Sequence, residues 1–244
     1  MAKHDPLGLR DDVYRRPLET AIERIGLHPG STCADVGAGA GDVTVALAAW
    51  VGESGRVYAV DIDPVRRNQI ARAAANYSQV IAITQSAEEL ALPELVDLAF
   101  CRFLLVGVID PVLAILGMAK MVKPGGWLVI QEPVTSAGRV GRESISSSAE
   151  EIRNPDVGMD VPKLVNSIGF DLVDCWAEAP AGFGSSPVVA YLEDMTETPV
   201  DADDTVLLPP LICVVAQRPQ QWSPTSIRRG SAGEGPRNPY PTEE

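Results

Sequence analysis

The stretch Cys33-Ala34-Asp35-Val36-Gly37-Ala38-Gly39-Ala40-Gly41 decides the fold of this 244-residue chain. Its first half is typical of a buried strand, and its alternating glycines lead directly into an apolar helical stretch at 43–50. Because glycine has no side chain, backbone N–H groups and the positive end of the helix can approach a ligand closely. The stretch therefore predicts a strand, a ligand-binding turn and a helix in direct succession.

A second signal is Asp61, which ends the next predicted strand about 20 residues beyond the glycines. A carboxylate in this position accepts hydrogen bonds from the hydroxyls of an adenosine ribose. Nicotinamide dinucleotides are the alternative ligand, but their loop has the spacing Gly-x-Gly-x-x-Gly, and Gly41 comes one place early here. Asp42 would also present a carboxylate to an incoming pyrophosphate. We therefore expect an adenosine-containing ligand without a pyrophosphate.

Helices and strands alternate along the chain. Apolar side chains from Leu18 to Ile25 share one face of a helix whose first turn is expected at Pro17. Such alternation predicts a parallel sheet with helices on both faces. The predicted strands are 31–36, 56–62, 80–84, 96–101, 127–131, 170–176 and 211–215, and the remaining predicted helices are 43–50, 64–76, 111–122 and 161–168.

Three regions are predicted from these patterns. Residues 1–16 are polar and charged and are interpreted as an N-terminal lid or arm, and residues 17–218 as the ligand-binding domain. Residues 219–244 are rich in proline, glycine, serine and charge, so we expect a disordered tail.

Composition excludes several classes of protein. The formal net charge is −13 with no dense basic run, which argues against a nucleic-acid partner. No apolar run reaches the roughly 20 residues that cross a bilayer, and the N-terminus does not have a secretory signal, so we expect a soluble cytoplasmic protein without a membrane partner. Four single cysteines, in segments interpreted as strands, are expected to be buried, reduced thiols and not metal ligands: Cys33, Cys101, Cys175 and Cys213.

Several motifs in order resemble the class I S-adenosylmethionine-dependent methyltransferases of the ubiquinone/menaquinone-biosynthesis type. The resemblance covers roughly residues 17–218. It rests on 33–41, 55–63, 85–88, 96–103, 123–126 with 128–132, and 157–162 with 169–170. It implies an α/β fold, a Rossmann-like three-layer sandwich whose mostly parallel seven-stranded sheet has an antiparallel last strand, and S-adenosyl-L-methionine as the cofactor.

The same resemblance implies roles for individual residues. Gly37 and Gly39 approach the methionine portion, Asp61 holds the ribose, and Ile62 lies against adenine. Ala87 and Glu88 edge the adenine pocket, where Ser86 replaces the usual aspartate. The other residues expected at the cofactor are Asp35, Ala38, Cys101, Arg102 and Tyr14, with Tyr14 and Arg15 as a possible lid over the site.

Catalytic residues are harder to predict. Family members often have a histidine after the fourth strand, but the only histidines here are His4 and His28, both before the glycine loop. Glu132, at the end of the fifth strand, is the one candidate catalytic residue, with a solvated carboxylate as the alternative. The segments 133–155, which is rich in serine, and 179–209 are expected to bind the substrate, and a second subunit in a homodimer is one way to complete them.

Three functions remain open at this point. The first is methyl transfer to oxygen, nitrogen or carbon of a small molecule. The second is a non-methylating enzyme that binds the same cofactor, such as a natural-product cyclase. The third is a non-catalytic binding partner.

Overall fold

The computed structural model describes residues 6–145 and 152–223. Its helices are α1 (Pro6–Ile25), α2 (Asp42–Val51), α3 (Pro64–Ala73), α4 (Pro111–Met121), α5 (Val161–Ser167) and α6 (Pro187–Thr196). Its strands are β1 (Thr32–Val36), β2 (Arg56–Asp61), β3 (Val80–Thr84), β4 (Val96–Arg102), β5 (Val122–Pro133), β6 (Arg139–Val140), β7 (Glu143–Ser144), β8 (Asp171–Glu178), β9 (Ala181–Phe183), β10 (Thr205–Leu207) and β11 (Leu211–Gln217).

Seven strands form the central sheet in the order β3-β2-β1-β4-β5-β11-β8. The pairs on the β3 side, from β3 through β5, are parallel. The last strand, β11, lies antiparallel between β5 and β8. The predicted seven-stranded, mostly parallel sheet with an antiparallel last strand is confirmed. The strand order reverses between β1 and β4, which is where ligands bind in open sheets of this kind.

Both faces of the sheet are buried, as the alternation of side chains along β1 illustrates. Cys33 packs on the face covered by α1 and α2, together with Leu18, Ile22 and Leu47. The next residue, Ala34, packs on the opposite face with Ile115 of α4 and Val165 of α5. These two apolar layers fix the sheet between helices and leave the carboxyl ends of its strands open to a ligand.

The expected start of the first helix at Pro17 is wrong, because α1 begins at Pro6 and Pro17 lies inside it. The boundary predicted between residues 16 and 17 therefore falls within one helix. Proline in a helix interior removes a backbone hydrogen bond. Buried side chains from the sheet bind carbonyls of this turn: Gln131 Nε2 donates to Pro17 O at 2.9 Å, and Arg102 Nη1 donates to Tyr14 O at 2.8 Å.

A second, antiparallel sheet of four short strands, in the order β7-β6-β10-β9, was not predicted. It joins the two segments expected to bind the substrate, because β6 and β9 both pair with β10. Helix α6 follows β9 and packs with α1 around Tyr14, Leu192 and Val206. Strands of two or three residues are too short to give a recognisable period in a sequence. The serines at 146–148 lie outside the described residues.

One of the four cysteines is not buried as expected. Cys33, Cys101 and Cys213 are buried, but the Cys175 thiol is exposed because β8 is an edge strand; all four are free thiols.

At the start of the predicted tail, Trp222 packs edge-on against Phe170 at 5.5 Å. The rest of that tail lies outside the described residues. None of the described helices is long and apolar enough to span a bilayer.

Candidate active site

A cleft of about 1180 Å³ opens at the carboxyl ends of β1, β2 and β4. Eight of the residues predicted to contact the cofactor line it: Gly37, Gly39, Asp61, Ile62, Ser86, Ala87, Glu88 and Arg102. The loop after β4 supplies another wall, and α1 and α6 contribute Arg10, Tyr191 and Met195 to the lining. The sheet topology therefore brings these predicted residues to one place.

The glycine loop depends on backbone conformations that other residues rarely adopt. Gly37, Gly39 and Gly41 all have positive φ, at 78°, 56° and 97°. A Cβ on Gly37 would lie 2.9 Å from Leu104 Cδ1, so a side chain there would press into the loop after β4. The loop is also tied to β2, because Val60 O accepts hydrogen bonds from Gly37 N and Ala38 N at 2.8 and 2.9 Å. Glycine is therefore required at position 37 for both backbone and space.

Asp61 connects the loop to the strand that follows it. Its two carboxylate oxygens accept hydrogen bonds from Gly39 N at 2.8 Å and Asp63 N at 2.9 Å. Each carboxylate oxygen can accept a further hydrogen bond, so the carboxylate retains capacity for ribose hydroxyls. Beside it, the apolar Ile62 side chain is 70% exposed at the cleft, as a surface against a flat ring requires.

The stretch from Ser86 to Glu88, expected at the adenine, lines another part of the cleft. Ser86 Oγ accepts from Glu88 N at 3.2 Å, which fixes this short turn. Glu88 Oε1 accepts from Ile109 N and Asp110 N at 3.1 and 2.9 Å, so one of its oxygens anchors the start of α4. The Glu88 carboxylate thus shapes the pocket edge in addition to lining it.

The Arg102 guanidinium is buried and paired within the protein, although part of the residue lines the cleft. Its side chain is 4% exposed, and Nη2 donates to Asp42 Oδ2 at 2.6 Å. Asp42 at the start of α2 is therefore paired and does not present a free carboxylate to a ligand. The charge argument against a pyrophosphate is wrong for this reason, while the argument from the early third glycine still stands.

The N-terminal helix closes the cleft, but through a different residue from those predicted. Tyr14 is buried below the cleft wall, edge-on to Phe103 at 5.1 Å and to Tyr191 at 5.7 Å. Burial raises its pKa. Arg15 points outwards and pairs with Asp11. The residue of α1 that lines the cleft is Arg10.

Three other residues expected at the cofactor lie behind the cleft surface. Asp35 is buried and accepts from Thr44 Oγ1 at 2.6 Å, and burial raises its pKa to about 7. Ala38 packs against Ala59 and Ile70 beneath the loop. The Cys101 thiol is also fully buried. These residues support the cleft wall from behind.

Glu132, the candidate catalytic residue, is fully buried and does not line the cleft. Its Oε1 accepts from Leu104 N and Leu105 N, both at 2.8 Å, and burial raises its pKa to about 7. Its Oε2 is buried without a hydrogen-bond partner among the described residues. Glu132 thus holds the loop after β4 from below, and its catalytic role stays a prediction.

The same loop contains Phe103, which lines the cleft with a positive φ of 57°. An aromatic residue in this region of backbone space is strained, and such strain is common at functional sites. Arg10, Phe103 and Tyr191 were not predicted from the sequence to line the cleft. Phe103 could have been predicted, because it follows Arg102 directly at the end of a strand. Arg10 and Tyr191 could not, because they reach the cleft only through the packing of α1 on α6.

Comparison with known proteins agrees with this geometry. Residues 34–130 match the family model described as a methyltransferase domain. This segment of the chain is therefore similar to a methyltransferase domain. The match runs from β1 into β5 and includes the glycine loop, Asp61, Ser86 and Arg102.

Relatives and structural neighbours add detail about the methyltransferase domain. The "Ubiquinone/menaquinone biosynthesis C-methyltransferase UbiE" of Vibrio vulnificus is 31% identical over 138 residues, covering 54% of this chain and 53% of the relative. This chain therefore spans about half the length of that curated relative. A SAM-dependent methyltransferase from Aquifex aeolicus has a TM-score of 0.59 at 21% identity, covering 88% and 99% of the two chains. The [4+2]-cyclase SpnF has a TM-score of 0.61 at 19% identity, covering 84% and 82%.

The cleft fits the parts of S-adenosylmethionine, the cofactor that the resemblance implies. The glycine loop leaves space that a Cβ would fill, the Asp61 carboxylate retains capacity for hydroxyls, and Ile62 offers an apolar face. In the described part of the chain, no group of three histidine, cysteine, aspartate or glutamate side chains could hold a metal ion. His28 lies outside the cleft, bonded around Pro29 and Ser31, and His4 is outside the described residues.

Proposed function

We propose that this chain transfers a methyl group from S-adenosylmethionine to a small-molecule acceptor. The observation that carries the proposal is that Asp61 lines the cleft and is bonded to the glycine loop through Gly39 N. That arrangement supports a role for Asp61 as a ribose anchor, directly beside a loop that admits backbone approach. The methyltransferase domain match and the relative's name support the same activity.

Methyl transfer mainly requires the protein to align the cofactor with the acceptor. Bound S-adenosylmethionine supplies a methyl group activated by a positively charged sulfur, and displacement at that carbon requires an in-line nucleophile and exclusion of water. Phe103, Tyr191 and Met195 give the far end of the cleft an apolar wall suited to both tasks. No histidine is among the described residues that line the cleft.

The other two functions are less well supported. A cyclase shares the fold, but at 19% identity that likeness concerns the fold alone. A non-catalytic partner would have no need for the preserved glycine loop and the free hydrogen-bonding capacity of Asp61. The methyltransferase domain match favours methyl transfer over both alternatives.

Titration calorimetry with S-adenosylmethionine tests the cofactor half of the proposal. We expect binding to the wild-type chain, weaker binding to Asp61→Ala, and none of NAD to either. An absence of heat with millimolar S-adenosylmethionine would contradict the proposal. A panel of phenols, amines and carbon acids, followed by release of S-adenosylhomocysteine and product mass, tests the transfer half. A product that does not gain one methylene unit per turnover would instead support a non-methylating enzyme.

Several properties accompany this proposal as predictions. A cytoplasmic location, a homodimer and the lack of a nucleic-acid partner follow from composition and from the expected incompleteness of the substrate-binding segments. Size-exclusion chromatography with light scattering measures the oligomeric state. A monomer at micromolar concentration would contradict the dimer.

A further inference from the structure

The lining of the cleft includes three charged side chains that form no hydrogen bond or ion pair with another described residue: Arg72, Arg153 and Asp194. The other charged residues of the lining are already paired or hydrogen-bonded within the protein: Arg10, Asp61, Asp63, Arg66, Glu88 and Arg102. A charged side chain without a protein partner in a binding cleft is available to a ligand of opposite charge. Which of the three meets the acceptor depends on where each lies.

Arg153 is held at the carboxyl ends of β4 and β5 by the backbone around it. Asn154 Nδ2 donates to Leu105 O at 2.8 Å and to Val108 O at 2.9 Å, which ties this segment to the loop after β4. The carbonyl of the residue after Asn154 accepts from Thr135 N, just beyond β5, at 3.0 Å. The exposed Arg153 side chain belongs to this fixed segment and lines the cleft.

The residues expected to hold adenosine belong to a different strand. Asp61 ends β2 and Ile62 follows it, and β1 separates β2 from β4 in the sheet. The glycine loop after β1 meets the start of the loop after β4, since a Cβ on Gly37 would lie 2.9 Å from Leu104 Cδ1. Arg153 is tied to that loop further along. A cofactor with its ribose at Asp61 and its methionine portion at the glycine loop therefore leaves the Arg153 side of the cleft to the acceptor.

The two other unpartnered charges are less well placed to choose the acceptor. Arg72 lies on α3, the helix that follows Asp61 and β2. Asp194 lies on α6, one turn after Tyr191, and the Tyr191 hydroxyl binds the Arg10 guanidinium. A positive charge therefore already lies close to Asp194.

The carboxylates on the elements around Arg153 bind backbone N–H groups instead of its guanidinium. Glu88 and Asp110 accept from N–H groups at the start of α4 at 2.9 and 2.8 Å. Asp156 accepts from the Ser136 N–H group at 2.9 Å. The net charge of −13 repels anions at long range, but salt screens that field beyond about 10 Å, so the nearby guanidinium decides which charge binds beside it.

We propose that Arg153 binds an anionic group of the methyl acceptor, such as a carboxylate. A guanidinium binds a carboxylate through paired hydrogen bonds. Leu104, Val108 and Ile109 of the neighbouring loop also line the cleft, so the body of the acceptor beside this anion is apolar. The inference rests on the proposed function, because it takes the cleft to hold S-adenosylmethionine and an acceptor together. It narrows the acceptor to the class of apolar acids.

Calorimetry on the full chain with S-adenosylhomocysteine bound tests this inference, because the cofactor carboxylate is then already in its own site. The probes are two matched sets of carboxylate, primary amide and amine: phenylacetate, phenylacetamide and phenethylamine, and hexanoate, hexanamide and hexylamine. The proteins are wild type, Arg153→Met, Arg153→Lys and the control Arg67→Met. Arg67 is exposed on α3 and does not line the cleft, so its variant reports on the loss of one positive charge elsewhere.

We expect wild type to bind each carboxylate about 3- to 10-fold more tightly than its amide, a modest preference because Arg153 is exposed. Arg153→Met should abolish that preference by weakening the binding of the carboxylate alone. Arg153→Lys should keep part of the preference, and Arg67→Met should keep all of it. The affinity for S-adenosylhomocysteine should be the same in all of these proteins. Circular dichroism of each variant checks that the fold is retained.

Several outcomes would overturn the inference. Equal wild-type affinity for carboxylates and amides, or a preference that survives in Arg153→Met, would exclude Arg153 as the anion-binding group. Tighter binding of the amines would assign the acceptor to Asp194 instead. Equal weakening of carboxylate and amide in Arg153→Met would mean that Arg153 acts on the shape of the cleft, and a loss of S-adenosylhomocysteine affinity would place it at the cofactor. Each of these leaves the proposed function standing, whereas failure of wild type to bind S-adenosylmethionine or S-adenosylhomocysteine would refute the proposed function itself.

Discussion

Replacing the buried Glu132 by glutamine should change how the stability of the protein depends on pH. Burial raises the pKa of Glu132 from 4.5 to about 7, and hydrogen bonds from the Leu104 and Leu105 N–H groups oppose this rise without cancelling it. Between these two pKa values the folded chain holds a proton that the unfolded chain has released. The free energy of unfolding therefore falls as pH rises from about 4.5 to about 7, and levels off above 7.

The size of the effect follows from the two pKa values. Each pH unit in this interval corresponds to about 1.4 kcal/mol for a fully titrating group. Because the titration is gradual near both ends, Glu132 should contribute a loss of about 2 kcal/mol between pH 5 and pH 7. Asp35, whose pKa burial also raises to about 7, contributes in the same direction and remains in the Glu132→Gln variant.

Urea unfolding at pH 5, 6, 7 and 8 measures the difference between wild type and Glu132→Gln. The variant should lose about 2 kcal/mol less than wild type between pH 5 and pH 7. The two proteins are compared by how their free energy of unfolding changes with pH, not by its absolute value. The glutamine N–H₂ group takes the position of the unpaired Oε2 and should lower stability equally at every pH. Parallel curves for the two proteins would refute the reasoning, since they would mean that Glu132 is ionised in the folded chain at pH 5.

Three further predictions concern the cleft. Asp61→Asn should lower the affinity for S-adenosylmethionine by about 10- to 100-fold in calorimetry, because charge-assisted hydrogen bonds are lost, and an unchanged affinity would exclude Asp61 as the ribose anchor. Gly37→Ala and Gly26→Ala should each lose about 1–2 kcal/mol of stability, because both positions have a positive φ. Only Gly37→Ala should also impair cofactor binding, because its Cβ would contact the loop after β4. Asn154→Ala should lower the free energy of unfolding by about 1–3 kcal/mol, because Asn154 Nδ2 donates to two carbonyls of the same loop; a change below 0.5 kcal/mol would contradict this.

The sequence predicted the sheet and eight of the residues that line the cleft, because both depend on local patterns. Short apolar runs, glycines and strand-end acids are encoded by residues that are neighbours in the chain. Since the carboxyl ends of parallel strands meet at one edge, Gly37, Asp61 and Ala87 had to converge once the strands were recognised. The prediction that α1 begins near Pro17 was wrong, because the preference of proline for the first helical turn is only a local tendency and the helix extends back to Pro6.

The structure also separated residues that motif matching had grouped together. Arg102 and Asp61 both belong to matched motifs, yet Asp61 faces the ligand space while Arg102 is committed to the protein interior. Glu132 had the strand-end position of a catalytic residue, but the Leu104 and Leu105 N–H groups bind it below the cleft wall. Motif position predicts which end of the sheet a side chain occupies, and packing decides which way it points.

By itself, the sequence determined the strands of the central sheet and the helices between them, the glycine loop and the acid that follows it, because each depends on residues close together in the chain. The tertiary structure alone decided that Arg10 lies over the loop, and that Phe103 and Tyr191 meet around Tyr14. These side chains come from segments about 90 residues apart in the chain, and no local pattern records which of them will pack together. Burial and charge pairing between such distant residues exist only once the chain has folded.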